Sequence, residues 1–127
     1  MIDHVSVYVS DLAHSKAFYE AALKPLGYVV FSEMDGAVAF GNEAEADSAL
    51  RGGDFWIAQE QPVRKQHVAF RAKDHATVDT FYRAALGAGG TNNGAPGLRS
   101  DYGEHYYAAF VLDPDGHNIE AVCQNPV

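Results

Sequence analysis

Three side chains in this sequence have the types expected of a transition-metal site: His4, His67 and Glu120. Each neutral imidazole offers one nitrogen lone pair. Two of them with a carboxylate make a facial set suited to Fe(II), Mn(II), Ni(II) or Zn(II), with coordination positions left open for a substrate. Glu120 stands inside Asn118-Ile119-Glu120-Ala121-Val122. A charge flanked by apolar residues on a core strand is costly unless it is paired or bound. Alternation places Asn118, Glu120 and Val122 on one face of that strand and Ile119, Ala121 and Cys123 on the other.

The spacing of the histidines has a cause. Sliding the chain by 63 residues lays His4-Val5 on His67-Val68, Asp11 on Asp74 and Ala13 on Ala76. It also lays Phe18-Tyr19 on Phe81-Tyr82 and Ala21-Ala22-Leu23 on Ala84-Ala85-Leu86. These are nine identities over positions 4–23, where average residue usage gives about one. The offset is half of the 127 residues. The chain therefore reads as one domain, 1–127, built of two modules, 1–62 and 63–127, related by a pseudo-twofold axis. Such an axis is expected to carry His4 and His67 toward a common centre.

Each module opens with a strand that alternates with period two. Val5, Val7 and Val9 lie opposite His4, Ser6 and Tyr8, and Val68, Phe70 and Ala72 lie opposite His67, Ala69 and Arg71. Ser10 or Asp11, and Asp74 in the second copy, offer oxygens to cap the helix that follows. Pro25 and Gly27 stop the first helix, and Gly87, Gly89 and Gly90 stop the second. Strands are expected at 27–32, 37–41 and 54–59, then at 90–93, 105–112 and 117–124. Asp113-Pro114-Asp115-Gly116 reads as a hairpin turn, and 42–53 and 94–103 read as loops. Each module is thus βαβββ, and the fold class is α+β with mainly antiparallel strands.

Composition narrows the partners. Asp+Glu number 17 against 9 Lys+Arg, a formal charge of −8, which excludes a general nucleic-acid binder and disfavours anionic membranes. No apolar run approaches the ~20 residues of a spanning helix, and the N-terminal residues lack a signal-peptide pattern. The single cysteine, Cys123, excludes an intrachain disulfide. A cytoplasmic protein acting on a small molecule is expected.

The paired βαβββ halves, His4, His67 and the run Asp113-Pro114-Asp115-Gly116-x-x-Ile119-Glu120 resemble the vicinal oxygen chelate superfamily. It includes glyoxalase I, extradiol dioxygenases, fosfomycin-resistance proteins, methylmalonyl-CoA epimerase and bleomycin-resistance proteins. The resemblance implies a sheet curled around a cavity, ligands from the first and last strands of the modules, and a divalent metal (Zn, Ni, Fe(II) or Mn) that chelates two neighbouring substrate oxygens. A homodimer is among the assemblies it implies, with the site built in one chain or shared between two. Its four-ligand members carry a glutamate in the first module's last strand, where this chain has Trp56. Indole has no lone pair for a metal. Its extradiol members have a tyrosine where this chain has Phe110.

A metal-dependent lyase or isomerase acting on a small oxygen-rich substrate follows. The alternative is a metal-free binding protein of the drug-sequestering kind, favoured by an aromatic wall at Trp56; a dioxygenase stands third. Further substrate contacts are expected from Arg71, on the His67 face, and from Tyr106 and Phe110, which share a face. Arg99, Tyr102 and His105 lie in or beside a glycine-containing loop that could close over the cavity. His14, His75 and His117 are expected at the surface, and Cys123 in the core.

Overall fold

The computed structural model describes residues 2–45 and 52–126. The first module runs β1 (Val5–Val9), α1 (Leu12–Leu23), a 3-10 turn (Lys24–Leu26), β2 (Tyr28–Met34), β3 (Ala37–Asn42) and β4 (Phe55–Gln59). The second runs β5 (His67–Arg71), α2 (His75–Gly87), β6 (Thr91–Leu98), β7 (Tyr107–Leu112) and β8 (Asn118–Cys123). The βαβββ order is as expected. Asp11 caps α1, accepting from the His14 N–H at 3.1 Å, and Asp74 caps α2, accepting from the Thr77 N–H at 2.7 Å. Gly27 ends the first helical segment at φ 85°, a conformation only glycine adopts freely.

The strands form two four-stranded sheets, β1-β4-β3-β2 and β5-β8-β7-β6. In each, the first strand pairs in parallel with the last, and the other pairs are antiparallel. The expected α+β class with paired modules is observed, and the strands divide into two sheets rather than one. The sheets are separate and open, with β1 and β5 each at an edge.

Alternation decides what each sheet buries. Val7 and Val9 of β1 are wholly buried while Ser6 and Tyr8 face outward, and in β5 Phe70 is buried while His67, Ala69 and Arg71 are exposed. The helices cover the apolar faces and pack on each other. Aromatic rings knit the modules together. Phe70 of β5 meets Tyr28 and Phe55 edge-on at centroid distances of 5.3 and 5.1 Å. Burying each such ring contributes about 1.5–3 kcal/mol. Cys123 lies in this core, as expected.

Two local expectations need correcting. Residues 94–98 were expected in a loop, yet β6 continues through Leu98, with register shifts against β7 around Gly94. His117, expected at the surface, is wholly buried. Its Nδ1 accepts from the Gln66 N–H at 2.9 Å, so its Nε2 carries the proton and donates to the Tyr8 carbonyl at 2.7 Å. Around it the Asp113–Gly116 turn works as a clasp between modules. Buried Asp113 accepts from the Tyr19 hydroxyl at 2.6 Å and from the His117 N–H at 2.8 Å, and Asp115 accepts from the Ser10 N–H. His75 is half-buried too, stacked on Tyr107 at 3.8 Å, whereas His14 is exposed as expected.

Candidate functional site

Register fixes which side chains share the exposed face of the second sheet. Ala69 lies beside Glu120, His67 beside Asn118 and Arg71 beside Val122. On the other side of β8, Phe110 pairs with Glu120. In-register neighbours project to the same face. Hence His67, Arg71, Phe110 and Glu120 all belong to one surface, as alternation indicated.

Glu120 is the centre of this surface. Only 2% of it is exposed, so its carboxylate must be held. The Tyr106 hydroxyl donates to Oε2. Burial, that hydrogen bond and the carboxylate's charge push the Tyr106 phenol up to about 12, so it stays protonated as the donor. Oε1 lies 3.2 Å from His67 Nε2. His67 Nδ1 is 2.9 Å from the Asn118 carbonyl, which only accepts, so Nδ1 carries a proton. In a neutral ring Nε2 then presents a lone pair to a carboxylate oxygen. Two acceptors face each other at hydrogen-bond distance, and a cation or a proton must lie between them. Fixing one ring nitrogen by a backbone carbonyl is how metal-bound histidines are oriented. Beside them, Asn118 Oδ1 is a buried acceptor without a partner.

Around this pair Phe110 stacks toward His67 at a centroid distance of 6.4 Å, and Tyr102 meets Tyr106 edge-on at 5.4 Å. Arg99 lies over the Phe110 ring at 5.4 Å. A depression of about 360 Å³ is lined by Ala69, Arg71, Val122, Gln124 and Asn125. His105 is nearest Glu104, at 3.9 Å, with nearly half of its side chain exposed.

His4 stands apart. More than half of its side chain is exposed, and Nδ1 lies 2.8 Å from Asp3. Among the described residues no three His, Cys, Asp or Glu side chains gather as a metal-holding set. The common centre expected of the pseudo-twofold axis is thus not assembled within one chain. The repeat places the two histidines equivalently in their modules, while the clasp and ring contacts set how the modules lie against each other. His67 Nε2 and Glu120 Oε1, 3.2 Å apart, are of the types and spacing that would fill two ligand positions of a divalent ion.

Trp56 occupies the counterpart of the Glu120 position. Ser6 pairs with Trp56 in the first sheet, as Ala69 pairs with Glu120 in the second. Its indole N–H points to the Gly53 carbonyl at 3.3 Å.

The model of the Glyoxalase/Bleomycin resistance protein/Dioxygenase superfamily matches residues 1–121. The chain belongs to this superfamily. A glyoxalase/bleomycin resistance protein from Albidiferax ferrireducens T118 superposes with a TM-score of 0.80 at 30% identity, over 98% of both chains. The fosfomycin resistance protein FosX from Mesorhizobium loti shares the fold, with a TM-score of 0.69 at 17% identity, over 97% of this chain and 91% of that one. Among curated proteins, the uncharacterized protein YqjT of Bacillus subtilis (strain 168) is 26% identical, over 94% of this chain and 95% of that protein. Superfamily membership accounts for the paired modules and for the Asp113–Glu120 run.

Sequence reading missed two features of this structure. The clasp at His117 had a signal, because it follows Asp113-Pro114-Asp115-Gly116 directly, but a turn position suggested exposure. Arg99 was singled out only as one of a loop group, since its place over Phe110 depends on β6 continuing through glycines.

Proposed function

We propose that the protein is a metal-dependent enzyme of the lyase or isomerase type, acting on a small oxygen-rich substrate through two neighbouring oxygens. The observation that carries this reading is the 3.2 Å approach of His67 Nε2 to Glu120 Oε1, with Nδ1 already committed to the Asn118 carbonyl. A divalent ion held there would polarise substrate oxygens and stabilise an enolate or oxyanion. The chain's own groups do the rest. Glu120 and His67 hold the ligand geometry, and the Tyr106 hydroxyl, donating to Oε2, fixes the orientation of the Glu120 carboxylate. Half-buried Phe110 supplies an apolar wall, and Arg71 lines the depression where the rest of a substrate would lie. No helix among the described residues is long and apolar enough to cross a membrane, and we read the enzyme as cytoplasmic.

The third protein ligand in this reading is His4 of a second copy. His4 is exposed near the open edge strand β1, and His67 begins the open edge strand β5. Two chains related by a twofold axis would supply each other's missing imidazole. Trp56 of that second copy would then wall the site opposite Glu120.

Elemental mass spectrometry on untagged protein purified without chelator tests the proposal. Near-stoichiometric Zn, Ni, Fe or Mn is expected in the parent and none in His67→Ala, with His4→Ala losing most of its metal. Metal-free parent protein after reconstitution would sink the metal reading. One observation favours the second reading, a metal-free sequestering protein: Tyr106 already satisfies one Glu120 oxygen without any ion. That reading predicts tight stoichiometric ligand binding without turnover.

A further inference from the structure

Arg99 is held by a structure that a solvated surface arginine does not need. One terminal nitrogen donates to the Gly97 carbonyl at 2.8 Å and the other to the Ala95 carbonyl at 2.7 Å. Its guanidinium carbon stands 5.4 Å from the centre of the Phe110 ring. Two glycines make the space. A Cβ at Gly97 would lie 3.1 Å from Nη1, and one at Gly94 would lie 3.2 Å from Nη2 and 2.9 Å from Phe110 Cδ1. Gly94 has φ +150°, so backbone shape and absent side chain serve the same end. The side chain is half-buried. Of the five N–H groups of a guanidinium, two are committed, which leaves three without a partner among the described residues.

The setting is unusual for this chain. The protein carries a net charge of −8, yet β5, β7 and β8 place only one acid, Glu120, on this face. That acid is already engaged by Tyr106 and His67. Arg71 and Arg99 flank it. A pre-ordered, partly desolvated guanidinium with unused N–H groups binds carboxylates through paired hydrogen bonds. Its order is supplied in advance by the Phe110 ring and the two carbonyls, so little side-chain freedom is lost on binding.

We infer that the substrate of this face carries a carboxylate, and that Arg99, seated on Phe110 between Gly94 and Gly97, is its anchor. This deepens the proposed function and rests on that face being the substrate site. It does not rest on the metal. The carboxylate would lie against the Arg99 edge above Phe110, and the oxygens that react would lie toward His67 and Glu120. Arg71, which has no hydrogen-bond or ion-pair partner among the described residues, is the competing anchor.

The test uses benzoate, a monocarboxylate, with benzyl alcohol as its neutral counterpart. Calorimetric titrations are run on the full chain after chelator treatment, for the parent, Arg99→Met, Arg99→Lys and Arg71→Met. Benzoate is expected to bind the parent at least tenfold more tightly than benzyl alcohol. Arg99→Met should lose at least tenfold in benzoate affinity with benzyl alcohol unchanged. Arg99→Lys, which keeps the charge and the fold but loses the fork, should lose several-fold. Loss in Arg71→Met with Arg99→Met unaffected would overturn the assignment, and so would equal benzoate binding in all four proteins. Zinc titration of Arg99→Met reads the metal proposal separately. A variant that binds zinc but not benzoate upholds both, and a parent that binds benzoate but not zinc keeps the anchor while the metal reading falls.

Discussion

Replacing His117 with alanine is the perturbation whose magnitude the structure sets best. The ring is wholly buried and makes two hydrogen bonds, at 2.9 Å from the Gln66 N–H and at 2.7 Å to the Tyr8 carbonyl. Each is worth about 1 kcal/mol net, and leaving a buried partner unsatisfied adds about as much again. The vacated ring volume adds a cavity term unless the turn collapses. The expected loss is about 3–4 kcal/mol, or about 10–15 °C in Tm for a domain of this size. Urea denaturation followed by circular dichroism gives the free energy. His14→Ala, at an exposed helical position, serves as the control and should stay within about 0.5 kcal/mol. A loss below 1 kcal/mol in His117→Ala would refute the clasp, because two buried partners cannot be abandoned so cheaply. His117→Asn should recover part of the loss, since an amide also offers one donor and one acceptor.

Other outcomes follow from the same geometry. The Tyr106 phenol, raised to about 12 when folded, against about 10 for an unperturbed tyrosine, favours the folded state while it remains protonated. That contribution is present below pH 10 and is lost as pH rises toward 12. Tyr106→Phe should therefore show a shallower alkaline loss of stability in pH-dependent denaturation, and an unchanged slope would contradict the Glu120 contact. Gly94→Ala places a Cβ 2.9 Å from Phe110 at a backbone angle alanine resists, and should cost about 1–3 kcal/mol by thermal melting. Glu120→Gln should bind at least tenfold less zinc than the parent at pH 7 while remaining folded, read by metal titration with circular dichroism alongside.

Much of the fold was legible because period-two strands and capped helices announce themselves locally. Val5, Val7 and Val9 against Ser6 and Tyr8, and Asp11 and Asp74 before their helices, depend on neighbours one to four residues away. Repetition then doubled each signal. The His67 and Glu120 pairing was legible for the same reason, since both lie on alternating strands. What was hidden depends on tertiary placement. Thr91–Leu98, with two glycines and a proline, has poor strand propensity and is held by β7. His117 reads as a turn residue until two distant backbone groups close on it. The positions of His4 and His67 in their modules were readable, but the angle between modules was not, because it is set by Phe70 against Phe55 and Tyr28 and by the clasp.

The place of Trp56 has a practical consequence. It is the sole tryptophan of the chain, and it sits in the first module at the counterpart of Glu120. Tryptophan fluorescence therefore reports on the first module, while His67, Tyr106 and Glu120 lie in the second. The two halves carry separate clocks. If the clasp couples them, the fluorescence transition and the loss of metal or ligand binding will coincide in denaturant. If one half opens before the other, the sole indole will show which half moved first.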